Sequence, residues 1–225
     1  MSNNTIENIT EWLLERFEAR AVIFDLDGTL IDNNEYHHLS WVEYLKTIDR
    51  NIGAEEYRKK INGRTNRDVI KYLFGDIGDK EILRHTLDKE ALYRKIYRNH
   101  IKPVDGLLEF LTCLHRKNIP MAIATSGIQP NIDFMFEHVP IKQYFRAVVH
   151  SDHIKKGKPD PEIYTTAAVK LNTDPNHCIA FEDAVVGVRS AKAAGMNVVA
   201  ITTTEPRENL SEADLIIADY RFEGF

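Results

Sequence analysis

Cysteine is nearly absent: the 225 residues contain two, Cys113 and Cys178, far apart in the chain. Two such residues build neither a disulfide framework nor a paired-cysteine zinc site, and they fit a reducing, cytoplasmic setting. Long apolar runs are missing as well, so no helix is expected to cross a bilayer and no membrane partner is expected. Residues 1–20 lack a basic stretch followed by an apolar core and do not read as a secretory signal. Positive charge is not in excess: 29 Lys and Arg against 34 Asp and Glu give a formal net charge of −5. That balance argues against a nucleic-acid partner, while a few local cations still suit a small anionic substrate. The nine histidines are scattered, and His150 with His153 reads as a solvated loop.

What is present is ordinary for a globular protein, with 43% hydrophobic and 28% charged residues. The length suits one sizeable core and a smaller accessory domain. Ile6, Ile9, Leu13 and Phe17 recur at helical spacing among Glu7, Glu11 and Glu15, which predicts an amphipathic helix within residues 1–19 lying on the main domain. Short runs of Val, Ile, Ala and Phe at 21–24, 121–124, 147–149, 178–181, 198–201 and 215–217 predict strands buried on both faces. Helical patterns at 106–117, 131–138, 161–171 and 184–194 lie between them. Such alternation predicts an α/β fold with a parallel sheet, its ligand crevice outside the carboxyl ends of the strands. From about residue 36 to 100 only helical patterns occur. We therefore divide the chain into a core, 20–35 with 104–225, and an inserted all-helical domain, 36–103, on short connections that can hinge.

The first predicted strand runs into Asp25-Leu26-Asp27-Gly28-Thr29-Leu30. Carboxylates two residues apart in extended chain point the same way, and Gly28 permits a tight turn after them. One carboxylate can attack phosphorus and the other can donate a proton and then activate water. After the next strand, Thr125, Ser126 and Gly127 offer a hydroxyl and main-chain amides for phosphoryl oxygens. Lys158 precedes Asp160-Pro161, which reads as an N-cap and first helical position. Its ammonium is placed to neutralise a nucleophile and a phosphoryl group, whereas Lys155 and Lys156 read as solvated. Glu182 and Asp183 end another strand and suit a hard cation such as Mg²⁺, although Asp183 also reads as a cap for the helix that follows.

In that order, these four segments resemble the motifs of the haloacid dehalogenase-like superfamily, over essentially all of residues 20–220. The resemblance implies a Rossmann-like core with a mobile helical cap. It implies Asp25 as nucleophile, Asp27 as general acid and base, and Mg²⁺ held by Asp25, the Asp27 carbonyl, Glu182 and Asp183. The run Glu35-Tyr36-His37 with Trp41, and Phe181-Glu182-Asp183 with Gly187, look like the β-phosphoglucomutase-like branch. That likeness makes His37 a substrate-binding candidate.

The cap loop departs from the mutase pattern. Ile61-Asn62-Gly63-Arg64-Thr65-Asn66-Arg67-Asp68 has Asn62 and Asn66 where a mutase carries the Lys and Arg that bind a second phosphate. Gly63, Arg64 and Arg67 are the candidates for substrate contact here, and Thr65 with Asp68 also reads as a capping box. Asn33 replaces the hinge hydroxyl residue of the mutase. The missing cations favour a phosphatase of a small phosphorylated metabolite, a sugar phosphate, over a hexose-phosphate mutase, and a monomer is taken as the default expectation. A dehalogenase has no use for Asp27, and a catalytically silent binding protein does not need every acid and the Lys. The particular substrate, the oligomeric state and the role of the first helix are not legible.

Overall fold

The run Ala21-Val22-Ile23-Phe24 carries no polar side chain and forms strand β1 (Ala21–Phe24), fully buried at the centre of the sheet. The computed structural model describes residues 3–61 and 64–222. In it β1 is joined in parallel by β2 (Met121–Ala124), β3 (Ala147–Val149), β4 (Cys178–Glu182), β5 (Asn197–Ile201) and β6 (Leu215–Ile217), in the order β3-β2-β1-β4-β5-β6. The register pairs Phe24 with Ile123 on one side and with Phe181 on the other. The tips of β1, β2 and β4 therefore lie side by side, and the residues that follow them share one edge of the sheet. This is the Rossmann-like architecture expected.

Alternation along β1 sends Val22 and Phe24 to one face and Ala21 and Ile23 to the other. Phe24 stacks on Phe181 at 5.1 Å and meets Phe110 of helix α6 (Leu107–Arg116) edge-on at 6.3 Å. The opposite face is lined by small residues, Ala21, Ala122 and Ala180. They admit Ile163, Tyr164 and Ala167 of α8 (Glu162–Lys170) and Val188 of α9 (Val185–Ala193). Helix α1 (Asn3–Arg16) buries Ile6 and Leu13, as its spacing predicts, and Lys117 ties to Glu11 at 2.5 Å. No helix of the described residues is long and apolar enough to cross a membrane.

The chain divides into two compact units, 1–32 with 102–225, and 33–101. The second unit holds α2 (Asn34–Lys46), α3 (Ala54–Lys60), α4 (Asn66–Phe74) and α5 (Asp79–Tyr97), with no strand among its described residues. Its apolar core gathers Trp41, Leu45, Val69, Ile70 and Ile82. Thr65 caps α4 by accepting from the Asp68 amide at 3.2 Å, while its hydroxyl donates to the Asp68 carboxylate at 2.7 Å.

Three local expectations are corrected. His150 is buried, not solvated: its Nδ1 accepts from the Asp152 amide at 3.4 Å, and the His150 amide donates to His153 Nδ1 at 3.2 Å. The two rings close one turn at the end of β3 (centroids 4.0 Å apart). Asp160 does accept a helical amide, that of Glu162 at 3.1 Å, but α8 begins at Glu162, so Pro161 precedes the first turn. Asp183 does not cap α9, whose N-cap is Ala184 without a side-chain bond. The Asp183 carboxylate is turned toward two threonines instead.

Candidate active site

The end of β1 places Asp25 beside the end of β4, where the Asp25 amide donates to the Phe181 carbonyl at 3.0 Å. Glu182 and Asp183 follow Phe181, so three carboxylates converge. Asp25, Glu182 and Asp183 are buried, and each brings an oxygen within 4.8 Å of the others. Lys158, in the loop before α8, donates to Asp25 Oδ1 at 2.6 Å and also to Glu182 Oε1.

Each carboxylate is held differently. Glu182 Oε1 takes the Lys158 ammonium and the Tyr164 hydroxyl (2.6 Å). Its Oε2 accepts from the amides of Asp183 (3.1 Å) and Ala184 (3.4 Å). Gly187, one turn into α9, leaves the room: a Cβ there would overlap the Glu182 carboxylate. Asp183 accepts from Thr29 at 3.4 Å and from Thr204. Gly28 adopts φ +74°, and a Cβ there would overlap Asp183, so glycine is required both for the turn and for the approach of β4.

Burial sets the electrostatics. It pushes the Asp25 carboxyl well above the usual carboxylate range, against the pull of Lys158. Asp183 is pushed up to about 8 by burial and by Glu182. For Lys158, burial alone would lower the ammonium, but the carboxylates of Asp25 and Glu182 outweigh it and raise it. Three buried carboxyls face one ammonium, so Asp25 and Asp183 favour their protonated forms until a cation takes the protons' place. The all-oxygen donor set of Asp25 and Asp183 fits a hard divalent cation.

Asp27 is half-buried, and a Cβ at Gly127 would lie 3.7 Å from its Oδ2 and 3.1 Å from Thr125 Oγ1. Asp27 thus faces the space beside the Thr125-Ser126-Gly127 loop. That loop is less open in amides than expected. The Thr125 amide is used by the Val149 carbonyl (3.0 Å), and the Gly127 amide by Thr125 Oγ1 (2.9 Å). The Thr125 hydroxyl keeps its own proton to donate. Ser151, in the turn after β3, braces the loop by donating to the Gly127 carbonyl at 3.3 Å.

The remaining candidates lie in the helical unit. His37 Nδ1 is 3.0 Å from Lys89 Nζ, and its ring stacks on Tyr93 with centroids 3.9 Å apart. Arg64 is exposed, and Arg67 pairs with Asp79 at 2.9 Å. Gly63 and Asn62 lie outside the described residues. Sequence reading passed over Lys89, buried against Glu90 at 2.9 Å with Trp41 and Tyr93 beside it. It also passed over Tyr164 and Thr204. Thr204 carried a usable signal, three threonines at the end of a predicted strand; a tyrosine on the apolar face of α8 reads only as core.

The family model of haloacid dehalogenase-like hydrolases matches residues 22–201. This chain belongs to that family. The validoxylamine A 7'-phosphate phosphatase of Streptomyces hygroscopicus subsp. limoneus is 30% identical over 89% of this chain and 93% of its own. The β-phosphoglucomutase of Bacillus subtilis is 31% identical over 88% of each. Among solved structures, a family IA, variant 3 hydrolase from Entamoeba histolytica superposes with a TM-score of 0.83, at 32% identity over 90% of this chain and 94% of that one. The chain is a hydrolase of the phosphatase type, with a β-phosphoglucomutase-like sequence.

Proposed function

We propose that this hydrolase cleaves the phosphate monoester of a small sugar-like metabolite, with Mg²⁺ bound and an aspartyl-phosphate formed on Asp25. The observation that carries the reading is the contact of the Lys158 ammonium with Asp25, beside Asp183 and at the shared edge of β1 and β4. Asp25 and Asp183, with the Asp27 carbonyl, would hold the cation, and Glu182, whose oxygens already accept from Lys158, Tyr164 and two amides, would add negative charge to the site. Bound there, Mg²⁺ offsets repulsion between a carboxylate nucleophile and an anionic phosphoryl group.

The chain's own residues supply the rest. Lys158 favours the ionised form of Asp25, against burial, and stabilises charge on the phosphoryl oxygens. An Asp25 oxygen bonds to phosphorus as the bond to the ester oxygen breaks, and Asp27 gives that oxygen its proton. Asp27 then takes a proton from water. The water oxygen bonds to phosphorus, the aspartyl bond breaks, and phosphate leaves with Asp25 restored. The Thr125 hydroxyl donates to a phosphoryl oxygen. In the insert, His37, Arg64 and Arg67 are the proposed contacts to the remainder of the substrate.

Similarity to a β-phosphoglucomutase favours a second reading, phosphoryl transfer back to a bound hexose. Against it, Asn66 stands where the mutase pattern has Arg, and its amide is engaged by Glu90 at 2.8 Å. Offering β-glucose 1-phosphate separates the two: free phosphate supports hydrolysis, glucose 6-phosphate the mutase. Asp25→Asn tests both. It should fold, and release no phosphate from p-nitrophenyl phosphate or any sugar phosphate. Turnover near the wild-type rate would remove Asp25 as nucleophile.

A further inference from the structure

Tyr164 fills the sheet face between Ala180 and α9 and is completely buried. A phenylalanine would pack there as well; the hydroxyl needs a separate reason. It donates to Glu182 Oε1 at 2.6 Å, the same oxygen that accepts from Lys158. The Lys158 ammonium also lies 5.2 Å from the Tyr164 ring centroid. Burial and the neighbouring Glu182 raise the phenol well above its ordinary range, so it remains a donor.

We propose that the Tyr164 hydroxyl is a positioning group for phosphoryl transfer, sharing Glu182 Oε1 with Lys158 so that the ammonium stays directed toward Asp25. The geometry explains how. Glu182 Oε2 is pinned by the Asp183 and Ala184 amides, so the carboxylate cannot turn. With its plane fixed, Oε1 divides its charge between two donors. Removing the phenolic donor leaves that charge to Lys158 alone, in a site where interactions are weakly screened. The ammonium is then held more tightly by Glu182 and less by Asp25 and the phosphoryl oxygens. Only an interaction that strengthens in the transition state changes kcat. The loss therefore falls on transition-state stabilisation and spares ground-state binding.

This inference rests on the phosphatase reading, and Tyr164→Phe tests it with the full chain and Mg²⁺ present. The ring that fills the core is kept, so the thermal midpoint should stay close to wild type. kcat should fall about tenfold, the scale of one hydrogen bond to a charged group, with KM changed less than twofold. The affinity for inorganic vanadate, which adopts the five-coordinate geometry of the transition state, should fall by the same factor. Affinity for inorganic phosphate should change less than twofold. A purely packing role predicts a lower thermal midpoint with vanadate affinity intact. That result, or kcat within twofold of wild type, overturns the proposal. Equal losses for vanadate and phosphate overturn it too. An inactive Asp25→Asn beside an unaffected Tyr164→Phe sinks only this inference, whereas an active Asp25→Asn sinks the catalytic reading beneath it.

Discussion

Lys158 Nζ lies 2.6 Å from Asp25 Oδ1, in a pair whose side chains are 7% and 9% exposed. At that burial the pair is little screened by salt, and the ammonium is held in place before any substrate arrives. Lys155 and Lys156, three and two residues earlier, are exposed.

Lys158→Ala should therefore lower kcat/KM on the order of a hundredfold or more, the usual cost of one preorganised charge. Lys155→Ala should leave it within twofold. Steady-state rates on p-nitrophenyl phosphate suffice, and equal losses would reduce Lys158 to one member of a basic patch.

Metal dependence follows from crowding Asp25, Glu182 and Asp183 in one buried site, where a bound cation would take the place of their protons. Excess chelator should stop phosphate release, and added Mg²⁺ should restore it. Mg²⁺ should also raise the thermal midpoint of the wild-type chain, because a ligand that binds only the folded state stabilises it. Asp183→Asn should lose that rise along with turnover. Full activity in chelator would end the metal assignment.

His150 predicts a pH dependence of stability. Burial and His153 lower its pKa, helped by Lys170, while Asp152 and Asp133 oppose. The folded pKa is thus below the unfolded value of about 6.5. Above that value both states are neutral at this site and nothing changes. As pH falls below it the unfolded chain takes the proton first, and stability drops by at most about 1.4 kcal/mol per pH unit until the folded pKa is passed. Protonation at Nδ1 also removes the acceptor for the Asp152 amide. His150→Gln should flatten the fall in thermal midpoint between pH 7.5 and 5.5; an unchanged profile would assign the acid sensitivity elsewhere.

The substrate contacts proposed for Arg64 and Arg67 can be separated from a structural role. Arg67 already pairs with Asp79, on side chains 52% and 82% exposed, where an ion pair contributes little to stability. Replacing the arginine that meets substrate should raise KM for a sugar bisphosphate while p-nitrophenyl phosphate, with no remote anion, is unaffected. Uniform losses on both substrates would make the loop structural, and no change for either arginine would move recognition to another part of the insert.

Much of this was legible in the residues because the relevant physics is local. Six short apolar runs without alternation point to strands of a covered parallel sheet, and all six fall where they were read, two extended by one residue, although the edge strands β3 and β6 are only partly buried. Asp25, Asp27, Glu182 and Asp183 were marked by position, since polar residues at the end of such a run must lie at the sheet's edge. Thr65 and Asp68 announced a helix start by spacing alone.

Partnership was not legible. Nothing in the neighbours of Glu182 says that its carboxylate takes both Lys158 and Tyr164, which lie 24 and 18 residues away along the chain. Nothing near His150 says that it is buried, because polar flanks read as solvent until the fold covers them. Gly187 was legible only as part of the branch-like run with Phe181-Glu182-Asp183; the fold brings Glu182 into the space that a Cβ would occupy. The sequence by itself determined the order of strands and helices and which side chains arrive at the sheet edge, because apolar periodicity and turn chemistry act over a few residues. Only the tertiary structure decided which charges meet, because a buried ion pair depends on distances between strand tips that parallel pairing sets across the whole chain.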